Sequence, residues 1–150
     1  MRIRVAVTIA LALGGCVHDP APSASGQLTA VETNAVVWQF EPDAGRCQSG
    51  DAHEFLGVDL YDQTRALRLV AEPDGSFTLV VADSGDLARP TVAIAQAACR
   101  TFAAQLSRPE DEDDDAVSGA FTIYCDGLTV GPLSSIQGAI TFASCDDGYD

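Results

Sequence analysis

Five cysteines are the residues of this sequence whose chemistry is most constrained. Cys16 follows an apolar run near the N-terminus, and the other four are spread over the rest of the chain. Zinc sites built on cysteine pairs usually separate two cysteines by about two to four residues, a spacing that does not occur here. A single catalytic thiol would leave an odd partner behind. Without Cys16, which the N-terminal motif accounts for below, four cysteines remain: Cys47, Cys99, Cys125 and Cys145. An even number of cysteines in an exported chain predicts disulfides, here two.

The first fifteen residues have the organisation of an export signal. Arg2 and Arg4 give a positively charged start, and residues 5–13 form an almost uninterrupted apolar run. Such a run fits the ~7–15 residues of a signal-peptide core and is far shorter than the ~20 residues that cross a bilayer. The sequence therefore predicts export with removal of residues 1–15, and not a transmembrane helix.

The motif Leu13-Gly14-Gly15-Cys16 at the end of this run resembles the lipobox of bacterial lipoproteins. In that family an aliphatic residue and two small residues precede a cysteine whose thiol takes a diacylglycerol. The resemblance implies a mature chain that begins at a lipidated Cys16, with acyl chains sufficient for stable membrane attachment. Val17 in place of Asp resembles the pattern sorted to the outer membrane. The alternative is an ordinary secretory signal with a chance cysteine.

The charge of the chain excludes some partners. The chain has no lysine, and loss of Arg2 and Arg4 with the signal leaves six arginines against 22 acidic residues, a net charge of −16. Such a surface repels nucleic-acid phosphates and anionic headgroups, so we expect no nucleic-acid partner and attachment to the membrane through the lipid alone. There is no phosphate-binding loop or dinucleotide fingerprint, so no cofactor is expected.

Six consecutive acidic residues, 110–115, are the strongest candidate for a metal site. Asp111, Asp113 and Asp115 stand at alternate positions, as oxygen ligands do in some calcium loops. The central glycine and the closing bidentate glutamate of an EF-hand are missing. A solvated loop of mutually repelling charges is the favoured interpretation, with weak calcium binding as the alternative.

Ser49, Asp51 and His53 lie close together in sequence and contain the residue types of a hydrolytic triad. Triad members normally come together from separate parts of a fold, and no nucleophile-elbow motif is present. We therefore expect no enzymatic activity. The hydrolase alternative would require His53 in a cleft beside a serine or a carboxylate.

Alternating apolar residues predict β-strands over most of the remaining chain. Residues 65–72 and 76–83 form the clearest pattern, a hairpin that turns at Pro73-Asp74-Gly75. Residues 119–125 and 138–145 resemble each other and predict two neighbouring strands.

Residues 91–108 fit a helix or two strands, and the strand interpretation is favoured because a hairpin centred near Glu112 would place Cys99 opposite Cys125. That pairing leaves Cys47 for Cys145. The register has a difficulty, because Phe102 would then face away from Cys99, and a bulge would be needed to correct it.

These patterns predict one all-β domain over residues 35–150, a sandwich or a flattened barrel with two disulfides. A flexible tether of residues 16–34 precedes it, with a strand that begins at Leu28 as the alternative for the later part of the tether. The expected function is a non-enzymatic binding or structural module of the bacterial cell envelope. Its partner would be an envelope protein or a ligand. A weak calcium-dependent adhesion module is one alternative. The other is a carrier of a small apolar ligand, in which aromatic residues would line a barrel cavity instead of filling a core: Trp38, Phe40, Tyr61, Phe77, Phe121, Tyr124 and Phe142.

Overall fold

A computed structural model describes residues 20–109 and 115–147 of the chain. The described residues form ten β-strands and two single-turn 3-10 segments, Asp51–His53 and Gln96–Ala98, with no α-helix. This confirms the predicted all-β class. The strands are β1 (Ser23–Glu32), β2 (Val37–Phe40), β3 (Cys47–Ser49), β4 (Gly57–Tyr61), β5 (Ala66–Ala71), β6 (Phe77–Ala82), β7 (Val92–Ala95), β8 (Thr101–Ser107), β9 (Val117–Asp126) and β10 (Leu133–Cys145).

The strands form two five-stranded antiparallel sheets that pack face to face as a sandwich and do not close into a barrel. Sheet A has the order β2-β1-β10-β9-β8 and combines both ends of the described chain. Sheet B has the order β3-β4-β5-β6-β7 and is a simple meander. The chain therefore crosses from sheet A to sheet B after β2 and returns after β7.

Alternation along the strands builds the core between the sheets. Every second residue of a strand points to the same face, so one apolar set per sheet turns inward. In the predicted hairpin, Leu67 pairs with Val81 and Leu69 pairs with Leu79, and all four are buried. The largest side chains with almost no exposed surface come from both sheets: Phe40, Phe121, Phe142, Leu28, Leu60, Leu67, Leu69, Leu79, Ile94, Ile123, Leu133 and Ile136.

The turn of that hairpin is held by its own side chains. The Asp74 carboxylate accepts hydrogen bonds from the backbone N–H of Ser76 at 2.9 Å and from its hydroxyl at 2.6 Å. These bonds lower the pKa of Asp74. Gly75 takes a positive φ of 84°, a conformation that glycine adopts without strain. The predicted Pro73-Asp74-Gly75 turn is thus confirmed.

The prediction of a flexible tether up to Asn34 is wrong for its later part, because Ser23–Glu32 form β1. This strand lies inside sheet A and pairs with β10 on one side and β2 on the other. Its serine, alanine and glycine content resembles a linker, but Ala24, Leu28 and Ala30 are buried in the core. The domain therefore begins near residue 23 and not at residue 35.

The region 91–108 forms strands, as favoured, and both disulfide pairings are confirmed. The register differs from the predicted one. Cys99 precedes β8, at the end of the turn Gln96–Ala98, and reaches Cys125 from outside the strand. Phe102 pairs with Ile123, and both are buried. This shift by one residue removes the need for the predicted bulge.

Each disulfide holds a place where the chain changes sheets. Cys47 opens β3 just after the first crossing and is bonded to Cys145 at the end of β10. Cys99 lies in the second crossing and is bonded to β9 through Cys125. The first bond closes a sequence separation of 98 residues and the second one of 26, so the first removes more freedom from the unfolded chain.

Candidate functional site

The outer face of sheet A is exposed and free of charge over most of its width. We name it the open face and define it by three rows of paired residues that run across the strands. Of its thirteen residues, twelve are exposed and Thr29 is half-buried. The rows are Gln39, Thr29, Gln137, Tyr124 and Thr101; Gln27, Ala139, Thr122 and Ala103; and Ser25, Thr141, Ala120 and Gln105.

The open face exists because the residues that alternate with the core in these strands are small or amidic. The thirteen side chains comprise four glutamines, four threonines, three alanines, one serine and one tyrosine. Charge is found only at the borders. Glu41 accepts a hydrogen bond from Gln27 at one side, and Asp126 pairs with Arg100 at 3.2 Å beyond Tyr124. On a chain with a net charge of −14, a neutral surface of this width is a local exception.

The polar groups of the open face are available for binding. Within the described part of the chain, Gln27 is the one member whose side chain forms a hydrogen bond, to Glu41. The free hydroxyls and amides offer both donors and acceptors. Four interstrand spacings of about 4.8 Å give the first row a span of roughly 19 Å.

A shallow depression of about 470 Å³ lies in the middle of this face. Its floor is β10 at Gly138 and Ala139, where side chains are minimal or absent, and longer side chains rise from the strands on either side. Gln27 of β1 and Tyr124 of β9 form two of its walls. A Cβ atom at Gly138 would lie 2.1 Å from the carbonyl oxygen of Gln27, so the close approach of β1 and β10 requires glycine there.

The outer face of sheet B has the opposite character. We name its centre the covered face and define it as Asp59, Arg68, Tyr61 and Gly57 of the sheet together with the ring of Phe55. Asp59 of β4 is fully buried and receives two hydrogen bonds from the Arg68 guanidinium, both at 2.7 Å. The Phe55 ring lies over this guanidinium, 4.4 Å from its central carbon. This is a bidentate, partly desolvated ion pair.

The electrostatics of the covered face follow from this burial. The hydrogen bond to Asp59 raises the pKa of Arg68. Burial, with a smaller contribution from Asp59, raises the pKa of Tyr61. Asp59 and Arg68 satisfy each other's hydrogen-bonding groups, which makes the covered face a structural feature and leaves the open face as the candidate site.

The remaining predicted site residues include three whose structure is not described. Cys16, Asp111 and Asp113 lie outside the described residues. Asp115 is exposed. Within residues 20–109 and 115–147, no cluster of three or more histidine, cysteine or acidic side chains could hold a metal ion.

The Ser49, Asp51 and His53 set is also separated. Ser49 is fully buried, and its hydroxyl accepts a hydrogen bond from the backbone N–H of Asp51. The Asp51 carboxylate pairs with Arg108. His53 is exposed, and among the described residues it forms no hydrogen bond with either of the other two side chains. Among the described residues, these three side chains therefore do not form a hydrogen-bonded triad.

The aromatic residues have divided between core and surface and do not line a barrel. Phe40, Phe121 and Phe142 are fully buried, and Trp38 is nearly so. Tyr124 is 41% exposed and belongs to the open face. The barrel cavity that the carrier alternative required is not formed, because the sheets remain separate.

Comparisons of this chain with protein-family models, with curated proteins and with solved structures found no match. Within the described residues, no helix is long and apolar enough to cross a membrane.

Sequence reasoning missed both faces. The signal for the open face is present in β8, β9 and β10, where the residues between apolar positions are uncharged in a chain rich in carboxylates. The signal for the covered face is weaker, because Asp59 and Arg68 each stand between two apolar residues, as solvent-facing residues do.

Proposed function

We propose that this protein is a non-enzymatic binding module of the bacterial cell envelope, anchored through lipid on Cys16, whose binding surface is the open face. The observation that carries the binding role is the neutral open face with its unbonded hydroxyl and amide groups on a strongly acidic protein. Surface charges are costly to strip of water unless they are paired, whereas neutral polar groups exchange water for partner atoms at lower cost.

The chemistry of the open face selects an uncharged, hydrogen-bonding partner surface. A strongly basic partner would be drawn instead to the carboxylate-rich segments of the sequence, and an acidic partner would be repelled by the protein as a whole. Tyr124 adds an amphipathic ring beside the central depression, a residue type enriched at binding sites.

The anchoring part of the proposal rests on Leu13-Gly14-Gly15-Cys16 and on the position of β1. The domain begins at Ser23, so six residues separate it from Cys16 and reach at most roughly 20 Å when extended. The domain would therefore sit close to the membrane surface, with sorting to the outer membrane favoured by Val17.

Intact mass spectrometry of the protein from a bacterial host tests the anchor. We expect a chain that starts at Cys16, carries added acyl mass and shows four further thiols only after reduction. A Cys16→Ser variant should lose the acyl mass and leave the membrane fraction. A wild-type chain without acyl mass would remove the anchoring proposal.

Photo-crosslinking in cells of the source bacterium tests the binding surface. A photoreactive side chain at Thr122, in the open face, should give a discrete adduct, whereas one at Ala93, exposed on β7 of sheet B, should not. Ala139→Glu should abolish the Thr122 adduct by placing a charge in the open face. Ala93→Glu, the matched control, should leave it unchanged. Equal adducts from both positions, or an adduct that survives Ala139→Glu, would overturn the assignment.

A further inference from the structure

Strand β8 is an edge of sheet A, and half of its backbone is open. Among the described residues it pairs with β9 alone. The amide of Gln96 bridges to it from the second crossing, because its Nε2 donates to the carbonyl of Phe102 at 2.6 Å and its Oε1 accepts from the N–H of Phe77 at 3.1 Å. The Phe102 carbonyl therefore faces away from β9.

The side to which the Phe102 carbonyl points determines where the backbone N–H and C=O groups of the following residues point. Backbone groups of alternate residues in an antiparallel edge strand point to the same side. Ala104 and Leu106 therefore direct their N–H and C=O groups away from β9, whereas Ala103 and Gln105 bond to it. Beyond the Gln96 bridge, these outward groups form a short ladder that has no partner strand within residues 20–109 and 115–147.

An apolar cleft of about 640 Å³ lies directly beside this ladder. Ala104 and Leu106 of β8 form one wall, and Leu56, Ala71 and Phe77 form the other. The cleft exists because β7 ends at Ala95 and pairs only with residues 78–81 of β6. Sheet B thus has no edge strand beside Phe77, and the sandwich stays open past Gln96.

We propose that this edge is a second binding site, which takes an extended peptide segment of a partner protein as an added strand on β8. The outward N–H and C=O groups of Ala104 and Leu106 match the backbone of a strand, a pattern that a small apolar molecule would leave unsatisfied. The cleft receives side chains from one face of that strand only.

The occupant therefore has apolar residues at alternate positions and polar residues between them. The net charge of −14 favours basic residues at its ends. The cleft borders the open face, because Gln105 and Ala120 also line it. Its β8 wall is formed by Ala104 and Leu106, which alternate along the strand with the open-face residues Ala103 and Gln105.

The test is a titration of the purified full-length, disulfide-bonded protein with the capped peptide Lys-Thr-Val-Thr-Val-Thr-Val-Lys, followed by NMR. We expect slower hydrogen exchange of the Ala104 and Leu106 amides by about tenfold or more at saturation. Amides of the β2 and β7 edges should not change.

Ala104→Pro removes one outward N–H without removing a bond to β9, a substitution that edge strands tolerate. It should weaken peptide binding by about tenfold or more. Leu106→Glu, which places a carboxylate in the mouth of the cleft, should also weaken it and provides a second variant should Ala104→Pro fail to fold. Ala93→Ser, at an exposed position of β7 in sheet B, is the control and should bind normally.

The proposal would be overturned if the peptide did not protect the Ala104 and Leu106 amides, or if Ala104→Pro and Leu106→Glu bound the peptide as tightly as the wild type. If these amides were protected in the free protein and lost that protection on dilution, the occupant of the edge would be a second copy of this chain. That result would overturn the peptide proposal. Ala139→Glu should not affect peptide binding, so this result is independent of the test of the open face.

Discussion

The two outer faces of the sandwich show two ways in which a β-sheet can treat its polar side chains. On the covered face, Asp59 and Arg68 hold each other in a bidentate pair, and the Phe55 ring lies over the Arg68 guanidinium. On the open face, neutral side chains stand in rows with free hydrogen-bonding groups. On the covered face the polar groups bond to each other, whereas on the open face most of them have no hydrogen-bond partner among the described residues.

The difference predicts that substitutions on the two faces affect different properties. Changes on the covered face break interactions that are complete within the domain, so they should lower the free energy of unfolding. Changes on the open face break few internal interactions, so they should alter binding and leave stability almost intact.

The largest effect is expected for Asp59→Ala, which leaves the Arg68 guanidinium without its partner under Phe55. Removal of one member of a buried ion pair typically costs 3–5 kcal/mol, and because Arg68 keeps 22% of its surface exposed we expect a loss of about 3 kcal/mol. Urea unfolding at neutral pH measures it. Asp126→Ala, which breaks an exposed pair with Arg100, should cost less than about 1 kcal/mol. Equal losses of the free energy of unfolding in Asp59→Ala and Asp126→Ala would contradict the proposed difference between the two faces.

A smaller effect is expected for Phe55→Ala. The ring lies on Arg68 and against Gly50 and Gly57, where an added Cβ would meet it at 2.5 and 2.9 Å. Loss of this half-buried ring should reduce the free energy of unfolding by about 1–2 kcal/mol. Tyr124→Ala on the open face should cost clearly less, and urea midpoints of the two variants make the comparison. A greater loss for Tyr124→Ala would contradict it.

A still smaller loss of the free energy of unfolding is expected at alkaline pH, where Tyr61 ionises. Because burial raises the pKa of Tyr61 above its ordinary value, folding favours the neutral phenol. The associated stability is complete below pH ~10 and is lost as the pH rises through the raised pKa. Tyr61 is only half-buried, so we expect less than about 1 kcal/mol. The free energy of unfolding should fall between pH ~9 and ~11 more steeply in the wild type than in Tyr61→Phe, whereas parallel slopes would exclude this role.

The smallest effect on stability is expected for Ala139→Glu in the open face. An exposed strand position without internal partners should change the free energy of unfolding by no more than about 0.5 kcal/mol. Thermal melts of this variant and of Ala93→Glu should coincide with the wild type. A large loss would mean that the open face contributes to folding, and any loss of binding could then reflect unfolding alone.

The local features of the fold could be predicted because they depend on neighbouring residues. The hairpin turn at Asp74 and Gly75 is specified within a few positions, and symmetry about a single loop was enough to pair Cys99 with Cys125. The exact register was not available from symmetry, since Cys99 reaches its partner from a 3-10 turn outside β8. Strand β1 was misread because Leu28 is its one large core residue, and its pairing partner β10 lies more than a hundred residues away.

The two faces could not be predicted because each depends on which strands share a sheet. Gln39, Thr29, Gln137, Tyr124 and Thr101 form one row, yet they come from five strands at both ends of the chain. No local pattern states that these residues are neighbours. The pairing of the buried Asp59 with Arg68 likewise depends on β4 and β5 being neighbours in sheet B.

The position of β1 has a mechanical consequence for the proposed anchored protein. A pull between the membrane and a bound partner would enter the domain at Ser23 and load β1 in shear against both of its neighbours, so that many hydrogen bonds resist together. If β1 and β2 slipped out, residues 23–46 would extend by at most roughly 80 Å. The Cys47–Cys145 bond would then stop the extension and pass the tension directly to β10, so that sheet B would never carry the load.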